Sequence, residues 1–311
     1  MKKITDAAAG IQVGQACVYR NLTVFPLLGS SEAATGYLTL DEALAMKCAQ
    51  ITEVSESGSV PELKFVNSSG KPIFLLDGEE LVGAKQNRIL NLSILVPAGV
   101  TLIIPVSCVE AGRWHHRSRQ FPAAPRAHYA EGRARKMAQV SASMRSTGRR
   151  TSDQGEVWQN ISEKFAKFDS FSETSAMSDI YEHEAARLED YVKSFSVLEK
   201  QTGAIFAING QIVGLDLFDS TETLRKLFPK LLRSYGLDAL ERVRSKPRES
   251  ETECPPASAN AFLCKVTQAN EEEFPAVGEG KDIRLSGPAL AGAALATADR
   301  IVHLSAFSIG N

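Results

Sequence analysis

Residues 72–114, PIFLLDGEELVGAKQNRILNLSILVPAGVTLIIPVSCVEAGRW, decide the fold that this sequence predicts. They contain two apolar runs, RILNLSILV at 88–96 and TLIIPVSCV at 101–109, with a turn at Pro97-Ala98-Gly99 between them. Runs of β-branched and aliphatic residues bounded by proline and glycine are typical of strands joined by a tight reversal. The stretch therefore predicts an antiparallel hairpin in the core of a sheet.

Polar side chains gather where this hairpin begins and ends. Because the turn of a hairpin fixes its register, the start of the first strand lies beside the end of the second. We therefore expect both polar groups to meet at the end of the sheet opposite the turn. Those before or early in the first strand are Asp77, Glu79, Glu80, Lys85, Gln86, Asn87, Arg88 and Asn91; those at the end of the second are Cys108, Glu110, Arg113 and Trp114.

Composition narrows the class of protein. The 311 residues are 43% apolar and 23% charged with a net charge of −2, so a nucleic-acid partner is not indicated by overall charge. The five cysteines are scattered without a CxxC pair, which favours reduced thiols in a cytoplasmic protein over a disulfide framework. No signal-peptide core and no apolar run of membrane-spanning length are present, so no membrane partner is expected.

The order of elements predicts an α+β fold with mainly antiparallel sheets and a central helical insertion packed on them. Because strands return after the helices, we expect one interleaved domain over 1–311. Its predicted parts are a β-rich segment (11–110), a basic loop or lid (113–150), helices (153–200), a hairpin and helix (201–244), a linker (245–259) and C-terminal strands (260–309), with Asn209-Gly210 as a type I′ turn.

The segment 113–150 is strongly basic, with ten Lys or Arg residues and one acid, Glu131. It has three interpretations: a mobile lid that attracts an anionic substrate, a nucleic-acid contact, or a solvated loop. Its three aromatic residues are few for a surface that stacks on bases. We favour the lid.

The central motifs GAKQNR and CVEAGRW resemble those of a bacterial family named for its association with ADP-ribosylglycohydrolases and rhodanese-phosphatase-superfamily proteins. The resemblance continues through TSAMSDIYE, through GAIFAINGQIVGLDLFDSTETLRKLFPKLLRSYGLDAL and into VHLSAF, so it covers most of the chain. It implies a role near NAD or ADP-ribose processing. It brings no catalytic residues, so roles are assigned from chemistry.

The basic side chains suit an anionic small-molecule ligand. Lys85, Arg88 and Arg113 match the oxygens of a phosphate or diphosphate, and Gln86, Asn87 and Asn91 match sugar hydroxyls or a base edge. Trp114 adds an aromatic surface beside them. The alternative is a set of ion pairs, in which Arg88 and Arg113 bind Glu79, Glu80 or Glu110 and join the strand ends.

Two residues are candidates for catalysis. Glu110 could activate water as a general base, and Cys108 could act as a nucleophile if neighbouring arginines lower its pKa; alternatively Cys108 is a small core residue. A second carboxylate from Asp77, Glu79 or Glu80 leaves Mg²⁺ open as a cofactor. A zinc site with His115 or His116 is disfavoured, because no second Cys/His pair stands at ligand spacing.

The sequence gives weaker evidence for the roles of polar residues near the Asn209-Gly210 hairpin and in the last strand. Asp219 or Ser220 is expected to cap the following helix, Asp216 is a further site candidate, and His303 fits a half-buried strand position.

We therefore expect a hydrolase that uses a carboxylate to activate water and acts on a phosphorylated nucleotide-type molecule. A non-catalytic module that binds or senses the same ligand is the alternative. An oligomer of identical chains stays open, although a purely structural oligomer leaves the polar residues unexplained.

Overall fold

The computed structural model describes residues 3–29, 35–55, 61–83, 85–114, 120–245 and 253–310. Its mixture of helices with mostly antiparallel sheets confirms the predicted α+β class. No helix within these residues is both long and apolar enough to cross a bilayer. The described helices are α1 (Lys3–Ala8), α2 (Leu40–Ala45), α3 (Ala130–Thr147), α4 (Gln154–Phe168), α5 (Met177–His183), α6 (Ala185–Ser194), α7 (Thr221–Ser245) and α8 (Pro256–Gln268).

The strands form three sheets. In chain order they are β1 (Gln12–Val13), β2 (Cys17–Tyr19), β3 (Leu22–Leu28), β4 (Leu38–Thr39), β5 (Ala49–Glu53), β6 (Glu62–Asn67), β7 (Ile73–Leu75), β8 (Glu79–Leu81), β9 (Arg88–Leu90), β10 (Ile94–Val96), β11 (Thr101–Cys108), β12 (Ala123–Ala127), β13 (Gln201–Ile208), β14 (Gln211–Phe218), β15 (Asn270–Pro275), β16 (Lys281–Gly287), β17 (Leu290–Ala296) and β18 (Ile301–Ser308).

The largest sheet combines strands from both ends of the described chain, in the order β1-β3-β13-β14-β18-β17-β16-β15, with β2 also paired to β3. Both of its faces are covered. Along β13, Phe206 and Ile208 pack into the core that includes α3 and α7, while Ile205 and Ala207 pack into the core that includes α1 and α8. A strand buried on both faces reads as a continuous apolar run, as β13 does.

The hairpin of β13 and β14 follows its sequence prediction. Asn209 and Gly210 both have positive φ, 50° and 74°, as a type I′ turn requires. The hydroxyl of Ser220 accepts a hydrogen bond from Thr223 N at 3.1 Å, so Ser220 caps α7 and Asp219 is left for other contacts.

The central hairpin is realised only in part. Cys108 stands opposite Arg88 and Val106 opposite Leu90, so β9 and β11 pair antiparallel as predicted. Strand β10, however, pairs with β7 in a separate three-stranded sheet, and the first half of β11 pairs with β6. Strand β9 ends at Leu90, although Asn91 N still donates to Pro105 O of β11; the Asn91 side chain bonds Arg150 O and Ser107 Oγ.

The prediction of a loop or lid over 113–150 is wrong for most of its length, because 123–127 is a strand and 130–147 is a helix. Apolar residues of α3 recur at helical spacing, and they pack into the core together with the buried cations Arg133 and Lys136. Burial of this face outweighs the weak helix propensity of its serine and glycine residues.

The boundary between the predicted linker and C-terminal strands is also wrong, because AFLCKV at 261–266 belongs to α8. Pro256 is the first residue of this helix, where its fixed φ and missing N–H carry no penalty. The strands that follow, β16 to β18, agree with the prediction.

Candidate ligand-binding site

The six-stranded sheet, in the order β12-β8-β9-β11-β6-β5, curls until its two edges approach. Phe121 N, just before β12, donates to Ile51 O of β5 at 3.1 Å and joins the edges into a small barrel. Apolar side chains fill the interior, as expected for a barrel of this size; among them are Ile51, Leu63, Phe65, Leu81, Leu90, Ile104, Val106 and Phe121.

Strand register directs three polar side chains to the same end of this interior. Arg88 is opposite Cys108 across β9 and β11, so both lie on one face. Glu53 is opposite Leu63, which is opposite Ile104 of β11. Because side chains alternate along a strand, Ile104 shares its face with Cys108. We call Glu53, Lys85, Arg88, Cys108 and Trp114 the barrel mouth.

Arg88 is completely buried, and most of its hydrogen-bonding capacity is unused. Its Nη1 donates to Gln86 Oε1 at 3.0 Å, whereas Nε and Nη2 have no hydrogen-bond partner among the residues that the structure describes. These two nitrogens form one edge of the guanidinium, the edge that binds carboxylate or phosphate with two parallel hydrogen bonds. A buried cation left in this state is costly, so Arg88 indicates a binding role.

Glu53 is the acidic member of the barrel mouth. Both carboxylate oxygens are shielded from solvent, and neither accepts a hydrogen bond from the described part of the chain. Glu53 was not among the site residues predicted from the sequence. Its signal was alternation in AQITE, where Ile51 is buried and Glu53 shares its inward face.

Cys108 lies close enough to Arg88 and Glu53 for both charges to affect the pKa of its thiol. Burial raises the pKa of its thiol to about 11; Arg88 opposes this effect, and the carboxylates of Glu53 and Glu110 add to it. The thiol is therefore protonated at neutral pH, which favours the small-core-residue alternative over a nucleophile.

Trp114 forms the outer wall of the barrel mouth and is 48% exposed. Lys85 Nζ lies 5.3 Å and Arg88 Cζ 5.8 Å from the centre of its ring, within the range of cation–π attraction. One indole thus holds two cations while leaving aromatic surface to solvent.

Glu110 belongs to a separate buried group, the Glu110 clamp, formed with Asn87, Arg113 and Thr174. Its Oε1 accepts from Arg113 Nε and Thr174 Oγ1, both at 2.8 Å, and its Oε2 accepts from Asn87 N at 3.0 Å and Arg113 Nη2 at 2.6 Å. Four hydrogen bonds fill the acceptor sites of a carboxylate. The GAKQNR and CVEAGRW motifs therefore meet as predicted, but Glu110 has no site left for water.

The pKa of Glu110 reflects this arrangement. Burial acts to raise it, but hydrogen bonds from Arg113, Asn87 and Thr174 together hold it below its ordinary value. Glu110 therefore stays ionised at neutral pH and fixes the two motifs to each other.

The other predicted site residues lie elsewhere. Glu79 pairs with Lys230, and Glu80 pairs with Arg126. Asn91 donates to Arg150 O, just after α3, and accepts from Ser107 Oγ on β11. These carboxylates, like Glu110, each bind a cationic side chain, so the structure does not gather them around Mg²⁺. His115 and His116 lie outside the described residues.

One group of acidic side chains within the described chain has metal-like spacing, namely Glu131, Asp238 and Glu241. The ammonium of Lys164 already lies among them, 2.6 Å from Asp238 Oδ1 and also bonded to Glu241. The position of a cation is thus occupied by a side chain.

Asp216 lies in a different buried network. It accepts from Arg133 Nη2 at 2.7 Å and Tyr235 Oη at 2.9 Å, and His303 Nε2 lies 3.2 Å from it. His303 Nδ1 is in turn 2.8 Å from Ser93 Oγ. The histidine is buried more deeply than predicted, and the network joins the largest sheet to α3 and α7.

A family model described as the ARG and Rhodanese-Phosphatase-superfamily-associated Protein domain matches residues 10–307. The resemblance inferred from the central motifs is thereby confirmed. No curated protein and no solved structure matches the chain.

Proposed function

The chain belongs to the ARG and rhodanese-phosphatase-superfamily-associated family, and from this premise we propose that its barrel mouth binds a phosphorylated nucleotide-type small molecule of the ADP-ribose or NAD class. The observation that carries the proposal is Arg88, fully buried with the Nε/Nη2 edge of its guanidinium unpaired. The family name supports the ligand class through its association with ADP-ribose chemistry.

Arg88 and its neighbours would contact different parts of such a ligand. The phosphate takes two hydrogen bonds from Nε and Nη2, and Lys85 adds a second positive charge. The exposed face of Trp114 offers a stacking surface for the base, a contact that contributes about 1–3 kcal/mol in other proteins. The Glu110 clamp holds the segments that carry Lys85, Arg88 and Trp114 in register.

Binding is tested by calorimetric titration with ADP-ribose, NAD and AMP, using Arg88→Met as the variant. Methionine keeps the unbranched apolar stem of the arginine but has no N–H groups, so we expect affinity to fall at least tenfold. Arg20→Met is the matched control, because Arg20 also lies over an aromatic ring, Tyr19, but is about half-exposed and outside the barrel.

If none of the three nucleotides binds the unmodified protein at millimolar concentration, the proposal fails. It also fails if Arg88→Met and Arg20→Met change affinity equally. The melting temperature of each variant shows whether any loss arises from unfolding.

Hydrolysis is a second candidate, favoured by the unpaired carboxylate of Glu53. Its oxygens are available to accept a proton from water while the water oxygen attacks a phosphorus of the bound diphosphate, whose bond to the bridging oxygen breaks so that the other phosphate leaves with that oxygen. Glu53→Gln is therefore expected to abolish turnover of ADP-ribose or NAD and to leave binding within a few-fold. Equal turnover by the variant and the parent would leave a binding or sensing module as the function.

A further inference from the structure

A cavity of about 520 Å³ lies away from the barrel mouth, between the end of α1, the start of β13, the end of β14 and the β17–β18 turn. This volume lies in the range of small-molecule sites. Its buried part includes Thr202, Leu217, Phe218 and Ala296. None of these residues belongs to the barrel mouth or to the Glu110 clamp.

The lining of this cavity is acidic. The described residues of the lining include the carboxylates of Asp6, Asp219 and Asp299 and one cationic side chain, Arg300. Arg300 is itself engaged, with its Nε 2.9 Å from Asp219 Oδ2 and its Nη2 donating to Thr35 O at 3.0 Å. A negative excess remains, so the cavity suits a cation and disfavours a phosphate.

The carboxylates are too far apart to surround a metal ion: in the described part of the chain, the one acidic group with metal-like spacing lies elsewhere. The lining also contains apolar residues of the core beside α1 and α8, namely Ile11, Leu217 and Ile301. Spaced charges on an apolar lining match an organic cation with hydrocarbon between or around its charges.

An independent observation marks the cavity as a binding site. Thr202 is 3% exposed and lines the cavity, and within the described ranges of the chain its hydroxyl has no hydrogen-bond partner. Buried hydroxyls are nearly always hydrogen-bonded, so this one is expected to find its partner in a bound molecule.

We propose that this cavity binds a small organic amine, whose ammonium pairs with Asp219 and the acidic rim and which also contacts Thr202 Oγ1. Asp219 is suited to the role because its side chain is buried and is held in place by Tyr37 Oη, 2.6 Å away. This binding is independent of the nucleotide site.

Calorimetric titration at pH 7.5 with putrescine, spermidine, agmatine and choline tests the proposal. We expect at least one to bind with a Kd below about 1 mM, the affinity of a few good contacts. Asp219→Asn should weaken that binding about tenfold, as expected when one buried charge pair is lost. Thr202→Val should weaken it several-fold without lowering the melting temperature, since the hydroxyl has no partner to lose.

A matched pair of lysine substitutions separates this site from general attraction to an acidic protein. Ala298 lies exposed on the lining and Ala142 lies exposed on α3, away from it. Ala298→Lys is expected to weaken amine binding at least fivefold, and Ala142→Lys to leave it unchanged. Absence of binding by all four amines, or equal effects of the two lysines, would overturn the proposal.

Discussion

Asp219 is a carboxyl group in a position that favours its neutral form. Burial is the main cause, and although hydrogen bonding to Tyr37 and the charge of Arg300 act in the opposite direction, the pKa of Asp219 rises from 3.8 to about 6. Asp6 and Asp299, which share the cavity, place further carboxylates near it. The protonation of this one residue therefore changes within a range that experiments reach easily.

The free energy of unfolding should record this titration. Between pH 4 and pH 6 the folded carboxyl is still protonated while the unfolded one has ionised, so the folded state binds more protons and loses stability as pH rises. The contribution is about 3 kcal/mol. Asp219→Asn, which stays neutral, should remove this decline, so its stability relative to the parent should increase from pH 4 to pH 6.5.

Urea denaturation at pH 4, 5, 6 and 6.5 measures the difference between parent and variant. Asp299→Asn is the control, because Asp299 lines the same cavity but is exposed. Parallel pH profiles for the parent and Asp219→Asn would contradict the prediction.

The two central motifs show which features of the site could be predicted from the sequence and which could not. Hairpin register predicted that GAKQNR and CVEAGRW meet, and the pairing of β9 with β11 brings Arg88 opposite Cys108. The roles within that convergence could not be assigned, because Glu110 and Arg88 are both charged residues at strand ends. Only coordinates show that Glu110 is fully hydrogen-bonded while Arg88 is not.

Glu53 was not predicted to belong to the barrel mouth because its position there depends on pairing between strands that are distant in sequence. It lies 35 residues before Arg88, and it reaches the barrel mouth through pairing of β5 with β6 and of β6 with β11. Local periodicity predicts strands but not which distant strands pair. For the same reason, the sequence did not predict that β10 pairs with β7 in another sheet instead of with β11.

The Glu110 clamp connects the segment that contains Lys85 and Arg88 to the segment that contains Trp114. Arg113→Met should remove the cation from a buried carboxylate and leave Glu110 ionised with only Asn87 and Thr174 as donors. Breaking a buried ion pair in this way destabilises proteins by about 3–5 kcal/mol. We expect a loss of that size in urea denaturation at pH 7.

Arg20→Met is the comparison for the clamp. Arg20 and Asp190 are 4.0 Å apart and about half-exposed, and such pairs contribute at most about 1 kcal/mol. A loss below 1 kcal/mol for Arg113→Met would show that the clamp does not stabilise the fold.

Helix α3 packs closely against the residues just before it. A Cβ added to Gly132 would lie 2.4 Å from His128 Cε1 and Nε2. Burial, followed by the nearby cations Lys136, Lys164 and Arg133, lowers the pKa of His128 well below its usual value, so the ring is neutral and buried. The glycine is required by this contact, not by the backbone.

Gly132→Ala should therefore destabilise the protein by about 1–3 kcal/mol through overpacking, even though alanine favours a helix. Gly155→Ala in α4 is the matched control; its new Cβ would meet only Asp153 Oδ1, at 3.3 Å. That substitution should stabilise by up to about 1 kcal/mol. Thermal denaturation of both variants distinguishes the effects, and equal shifts would contradict the role assigned to Gly132.

The layers of the molecule meet at Asp216. Its partners come from three elements that are distant in sequence: Arg133 on α3, Tyr235 on α7 and His303 on β18. His303 also contacts Ser93 Oγ through its Nδ1, and Ser93 lies between β9 of the six-stranded sheet and β10 of the three-stranded sheet. Burial acts to raise the pKa of Asp216, but Arg133 and His303 hold it below its ordinary value, so the carboxylate is charged at neutral pH.

This network predicts that the chain unfolds as one unit, in keeping with the prediction of a single interleaved domain. The largest sheet contains strands from both ends of the chain, and Asp216 ties that sheet to the helices beside it. Asp216→Asn should lower the free energy of unfolding by about 3–5 kcal/mol, because the buried Arg133 loses the carboxylate that its Nη1 and Nη2 bind and retains the longer contact of its Nε with Asp77, at 3.5 Å. Asp190→Asn, at an exposed pair, should change it by less than about 1 kcal/mol.

Two signals in the same urea titration check this prediction. Tryptophan fluorescence reports on Trp114 at the barrel mouth and Trp158 on α4, whereas far-ultraviolet circular dichroism reports on all helices and strands. Coincident transitions are expected in the parent and in both variants, with only the midpoint of Asp216→Asn shifted far. Two separated transitions in the parent would mean that the barrel and the large sheet fold independently, and that the Asp216 network does not couple them.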